Sequence, residues 1–130
     1  MPIMLSSNIF LLVPTLIAYA KGEWLYLAFC LGLCVSSPMY HYLKIYKPQS
    51  KMFPFFRALD WVVGIGAYFY MYYFIFTKVA VVWQTTLAVL LTLTVAVFIY
   101  GFKFGDYDKS HTWYHLFVFL TSGLIVFMGV

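Results

Sequence analysis

Charge is the scarcest property of this chain. Four carboxylates and eight Lys or Arg residues make up 9% of 130 residues, against a hydrophobic share of 65%. Soluble domains are about 25% charged and about 45–50% apolar, so a water-solvated globule is excluded. So is a nucleic-acid surface, because no cluster of cations forms a patch; membrane lipids are the expected surroundings. Lys and Arg are absent from the first twenty residues. That removes the basic region of a secretory signal and the Arg-rich character of a mitochondrial presequence, so the first apolar segment is expected to stay in the mature protein. Cysteine is confined to Cys30 and Cys34. One helical turn apart, they offer no disulfide framework and read as small apolar residues in a helix interface.

Long apolar runs dominate instead, and the mean hydropathy is +0.91. A membrane-crossing helix needs roughly 20 apolar residues. Five runs qualify, at residues 3–20, 24–42, 58–77, 79–102 and 111–130. They are too long and too uniformly apolar for barrel strands. The expected fold is all-α, an integral membrane bundle of five transmembrane helices in one domain covering residues 1–130. Residues 44–57 and 103–110 form the longer connections at one end. Lys44, Lys47, Lys51, Arg57, Lys103 and Lys109 lie at that end, and Lys21 and Lys78 lie at the other. The positive-inside rule places the six-cation end on the cytoplasmic or matrix-like side.

Against this background the rare polar residues stand out. His41 closes the second run, with Ser37 four residues before it. Asp60 lies at the start of the third run. His111 and His115, four apart, open the fifth. Counting crossings brings all of them to the same end at similar depth. Residues i and i+4 share a helix face, so His111 and His115 can turn both rings to one ion. A catalytic zinc takes three protein ligands and leaves its fourth position for water. His41, His111 and His115 meet that count. Asp60 can act as base or orient the water, and Ser37 can hydrogen-bond the water or a substrate carbonyl.

Each residue also has a structural reading. Histidines near helix ends can sit in an aromatic belt with Tyr40, Tyr42, Trp113 and Tyr114. Asp60 can pair with Arg57 at i, i+3. Ser37 can bond a carbonyl one turn back. Asp108 or Ser110 can cap the fifth helix from a loop that also holds Asp106. Gly64 and Gly66 are expected to let helices approach closely. The aromatic stretch Tyr68, Phe69, Tyr70, Tyr72, Tyr73 and Phe74 covers every face of its helix and so marks no single pocket.

The order Ser37-Pro-Met-Tyr-His41, Asp60, His111-Thr-Trp-Tyr-His115 resembles the S-x3-H, D, H-x3-H signature of the CREST superfamily of membrane hydrolases, which includes alkaline ceramidases, progestin and adiponectin receptors and myomaker-like proteins. The resemblance implies a zinc ion on the three histidines, with Asp60 and Ser37 beside its water, and hydrolysis of a ceramide-like lipid amide. The family has seven spans; here one span rather than three separates Asp60 from the H-x3-H.

Two functions compete. One is a zinc-dependent lipid amide hydrolase in an internal membrane, either endoplasmic reticulum and Golgi or mitochondrial inner membrane. The other is a non-catalytic accessory subunit, docked among other membrane subunits of a respiratory or photosynthetic complex and retaining the helices. The topology is checked by cysteine labelling in a chain whose native cysteines are replaced. Ser50→Cys and a cysteine appended after Val130 should react from opposite faces of the membrane; reaction from one face rejects the five-span arrangement.

Overall fold

The computed structural model describes residues 6–105 and 107–130. A 3-10 turn, Ser7–Leu11, runs directly into α1, Leu12–Lys21. There follow α2 (Trp24–Tyr46), α3 (Phe53–Lys78), α4 (Val81–Phe104) and α5 (Tyr107–Met128). The expected all-α bundle of five helices is what forms. Three of them, α3, α4 and α5, are long and apolar enough to cross a membrane. α2 has 23 residues, but Ser36, Ser37 and His41 dilute its apolar character. The described part of the first apolar segment, Ser7–Lys21, is shorter than a full crossing; the expected start of that segment lies outside the described residues.

The helix limits differ from expectation most at the basic end. Residues 44–57 do not form a long loop, because α2 continues to Tyr46 and α3 begins at Phe53. Charge misled the boundary. Lys44 lies in the last turn of α2, where a cation complements the carbonyl end of a helix. Pro54 lies in the first turn of α3, where no amide hydrogen is needed. Asp60 is therefore two turns inside α3 rather than at its head. α5 similarly starts four residues early, so Asp108 and Ser110 belong to its opening turns and do not cap it from a loop. Asp106 lies outside the described residues. At the opposite end Gly22, with φ 69°, ends α1 in the left-handed conformation; its own amide donates to the Tyr19 carbonyl and the Glu23 amide to the Ala18 carbonyl.

The helices form a closed circuit in which α1 packs on α2 and α5, α2 on α3, and α5 on α4. Contact between α3 and α4 is sparse, although the two are joined by the short Val79–Ala80 turn. Polar bonds tie that seam: Tyr68 to Thr94 and Tyr72 to Thr92, each at 2.7 Å. Elsewhere the Tyr26 hydroxyl reaches the Ser122 hydroxyl at 2.7 Å and its carbonyl at 2.9 Å. Phe74, Ile75, Leu87, Leu91 and Ile125 make the dry core, distant from the histidines. That end is fastened by Lys21, whose ammonium donates to the carbonyls of Phe127 and Gly129. The Val130 amide donates to the Lys78 carbonyl, and Lys78 pairs with Glu23 at 3.7 Å.

The distribution of polarity is inverted relative to a soluble protein. Leu16, Val62, Phe69, Val82 and Phe127 are exposed, whereas Ser36, Ser37, His41, Thr94 and His115 are buried. Buried polar groups and large exposed apolar patches are each informative, and here they occur together. It fits a bundle solvated by hydrocarbon, with the polar groups bonded inside.

Cys30 is buried and Cys34 half-buried, both as free thiols in the α1–α2 region. Gly66 does allow close approach: a Cβ there meets the Phe29 ring at 3.1 Å. Gly64 does not serve that purpose, because the space around it is open. The tightest crossing is Gly101 against Ser110, where an added Cβ would stand 2.3 Å from the serine Cβ. Gly101→Ala should lower unfolding stability in detergent by about 1–3 kcal/mol, the usual penalty of overpacking. Adding Ser110→Gly should restore most of it. An unchanged unfolding midpoint in the single variant would show that α4 and α5 do not cross there.

Candidate metal centre

The last two turns of α2 and the first turns of α5 face each other at the basic end. His41 projects from the first, and His111 and His115 from the second. All three are buried. Their ring centroids are 4.8 Å apart for His41 and His111, 5.2 Å for His41 and His115, and 4.5 Å for His111 and His115. One ligating nitrogen from each lies within 4.8 Å of the others, so the group can hold a metal ion. Nε2 of His41 and Nε2 of His111 are 3.2 Å apart. Two nitrogens at zinc bond length on a tetrahedral ion stand about 3.3 Å apart, so this edge already has the required size.

The surroundings hold the rings in place. His111 stacks on Tyr107, and His115 on Phe119. Nδ1 of His115 is 2.8 Å from the Ser7 hydroxyl. When this nitrogen carries the proton and donates to Ser7, Nε2 is left as a lone pair facing the other rings. Metal-ligating histidines usually have such a partner on the second nitrogen. Nδ1 of His41, in contrast, is buried with no hydrogen-bond partner among the described residues. An unsatisfied buried polar atom costs about 1–3 kcal/mol, and an ion held through Nε2 of His41 would leave that cost in place, since Nδ1 would still lack an acceptor.

Asp60 enters the same region from α3. It does not pair with Arg57; its carboxylate accepts a hydrogen bond from Ser36 at 3.3 Å. The Ser37 hydroxyl, expected near the metal, donates to the Asn8 side-chain oxygen at 2.7 Å. Among the described residues it bonds neither a backbone carbonyl nor a histidine. Ser7, Asn8 and Ser36 join the site without having been expected there. Their only signal in the sequence is polarity inside apolar runs, and the first two come from a segment far from the histidines in the chain.

Below the histidines lies a chamber of about 370 Å³, lined by His111, His115, Asp60 and Ser37 at one end and by Tyr26, Tyr72 and Ser122 at the other. Its walls are chiefly aromatic and aliphatic. The α3 aromatics do mark one pocket, contrary to expectation: Tyr68, Phe69, Tyr70 and Tyr72 all line it. Helical spacing spreads these rings around α3, but the sparse α3–α4 contact leaves a cavity wide enough to meet several faces. Gly64, with nothing close to its Cβ position, adds to the open space.

No family model, curated protein or solved structure matches the chain. The centre is therefore defined by its own geometry: three buried imidazoles able to hold a metal, a carboxylate, and an apolar chamber. Ser7→Ala should weaken metal binding about 10–100-fold, the usual effect of removing an outer partner of a ligating histidine. Ser7→Thr should retain it. Competition with a chromogenic chelator measures both, and equal affinity in Ser7→Ala would show that Ser7 does not orient His115.

Proposed function

We propose that this chain is a zinc-dependent hydrolase of a lipid amide, acting inside an internal membrane that all five helices cross. The observation that carries the reading is the position of the histidine cluster at the polar end of an otherwise apolar chamber, with Asp60 lining the same space. His41, His111 and His115 would hold the ion. Zinc, when bound, makes water acidic enough to attack near neutral pH and polarises a carbonyl.

The chain's own groups supply the rest. The apolar walls receive an acyl chain and exclude bulk water. Asp60 is the only carboxylate among the described lining residues and is the general base, taking a proton from the attacking water and returning it to the amine leaving group. Ser36 fixes the carboxylate through its hydroxyl. Ser37 contributes by holding Asn8, and so the 3-10 turn that carries Ser7, against α2. The S-x3-H, D, H-x3-H order supports assignment to a shortened CREST-like hydrolase. An accessory-subunit role accounts for exposed apolar faces but gives no reason for a chamber that ends at two histidines of the cluster, His111 and His115.

Asp60→Asn should lower turnover of a ceramide-like amide by about 10²–10⁴-fold, the range for loss of a general base, with zinc content unchanged. Ser36→Ala should lower it less, because the carboxylate stays. Wild-type turnover in Asp60→Asn would overturn the assignment of the base.

A further inference from the structure

The chamber has a direction. Its carboxylate and its histidines gather at the basic end, and from Asp60 to Tyr72 the α3 wall runs about 18 Å at the helical rise of 1.5 Å per residue. A hydrocarbon chain fills that length with its polar junction at Asp60 and the histidines. Whatever follows the junction must point out of the bundle toward the basic end.

Two cations border that exit. Arg57 stands one turn above Asp60 on α3 and has no carboxylate partner among the described residues. It lines a shallow hollow with Phe53, Pro54, Ala58 and Trp61. Trp61 lines the chamber too, so a single indole separates the two spaces. Across the exit, the Lys44 ammonium sits 3.8 Å over the ring of Tyr107, itself a chamber residue. By sequence, six cations at this end face three carboxylates, Asp60, Asp106 and Asp108, and a zinc ion would add further positive charge. The outer wall is open along α3, where Trp61, Ile65 and Phe69 line the chamber while remaining 46%, 51% and 73% exposed. An amphiphile can therefore enter sideways from the bilayer, with its headgroup staying at the interface.

We propose that the chamber takes a single-chain N-acyl amphiphile with an anionic headgroup, such as an N-acyl amino acid, its tail along α3 and its headgroup between Arg57 and Lys44. A neutral headgroup would leave Arg57 without a counterpart and the excess of cations at the exit unmatched. The scissile amide then falls at the level of Asp60, so the catalytic part of this inference rests on the hydrolase reading; the binding part does not.

The test uses the full chain in nanodiscs of neutral phosphatidylcholine, with binding measured for three ligands of equal chain length: N-palmitoylglycine, N-palmitoylethanolamine and palmitate. The carboxylate-headed amide should bind at least about tenfold tighter than the neutral amide, with the advantage shrinking as salt is raised. Arg57→Gln with Lys44→Gln should abolish the advantage, and an unchanged helix content and unfolding midpoint would show that the variant is folded. Arg57→Lys should keep most of it. Equal binding of the two amides by wild type overturns the proposal, and palmitate binding as tightly as N-palmitoylglycine overturns it in favour of a fatty-acid site. Turnover of the neutral amide without headgroup preference removes this inference and leaves the hydrolase reading. Carboxylate-selective binding without turnover does the reverse.

Discussion

Three imidazoles crowded within 4.8 Å in an apolar bundle impose the main constraint on this molecule. Neutral rings brought this close share few hydrogens. Two of them already contact nitrogen to nitrogen, and one ring nitrogen has no partner among the described residues. Hydrocarbon surroundings offer no water to relieve this. A cation bound among the rings would relieve the first of these, converting facing lone pairs from a liability into a ligand set, while Nδ1 of His41 would keep its need for a partner. The binding free energy of such an ion is then also folding free energy, because it joins the end of α2 to the start of α5. Toward their other ends the same two helices are joined by the hydroxyls of Tyr26 and Ser122.

Other features follow from that joint. The 3-10 turn places Ser7 on His115 and Asn8 on Ser37, so the N-terminal segment closes the circuit between α2 and α5. The aromatic rings of Tyr107 and Phe119 fix the imidazole planes. α3 is left packed firmly on α2 alone, and its loose seam with α4 opens the chamber. The far end is held separately by Lys21, Lys78 and the dry core around Phe74. The bundle is thus pinned at both ends and hollow between, an arrangement suited to receiving a chain from the bilayer.

Much of this is legible in the sequence, for a physical reason. Long apolar runs joined by short turns make helices that alternate in direction, and that alternation fixes which ends meet. Chain order and the number of runs alone therefore place His41, His111 and His115 at one end of the bundle. The turn limits are less legible, because Lys44, Pro54 and Arg57 look like loop residues yet occupy helix ends, where their charge or missing amide hydrogen is tolerated. Ser7, Asn8 and Ser36 are not legible. A single hydroxyl in an apolar helix carries no directional signal until the facing helix is known. The chamber is invisible for the same reason, since it results from what α3 and α4 fail to bury.

The most direct measurement is metal content by mass spectrometry of the purified full chain, beside the variant in which His111 and His115 are both changed to Ala. The account predicts about one zinc per chain in the wild type, as a single three-histidine site requires, and none in the variant. A wild-type protein that is folded, embedded in its membrane and free of metal even after incubation with zinc would contradict it.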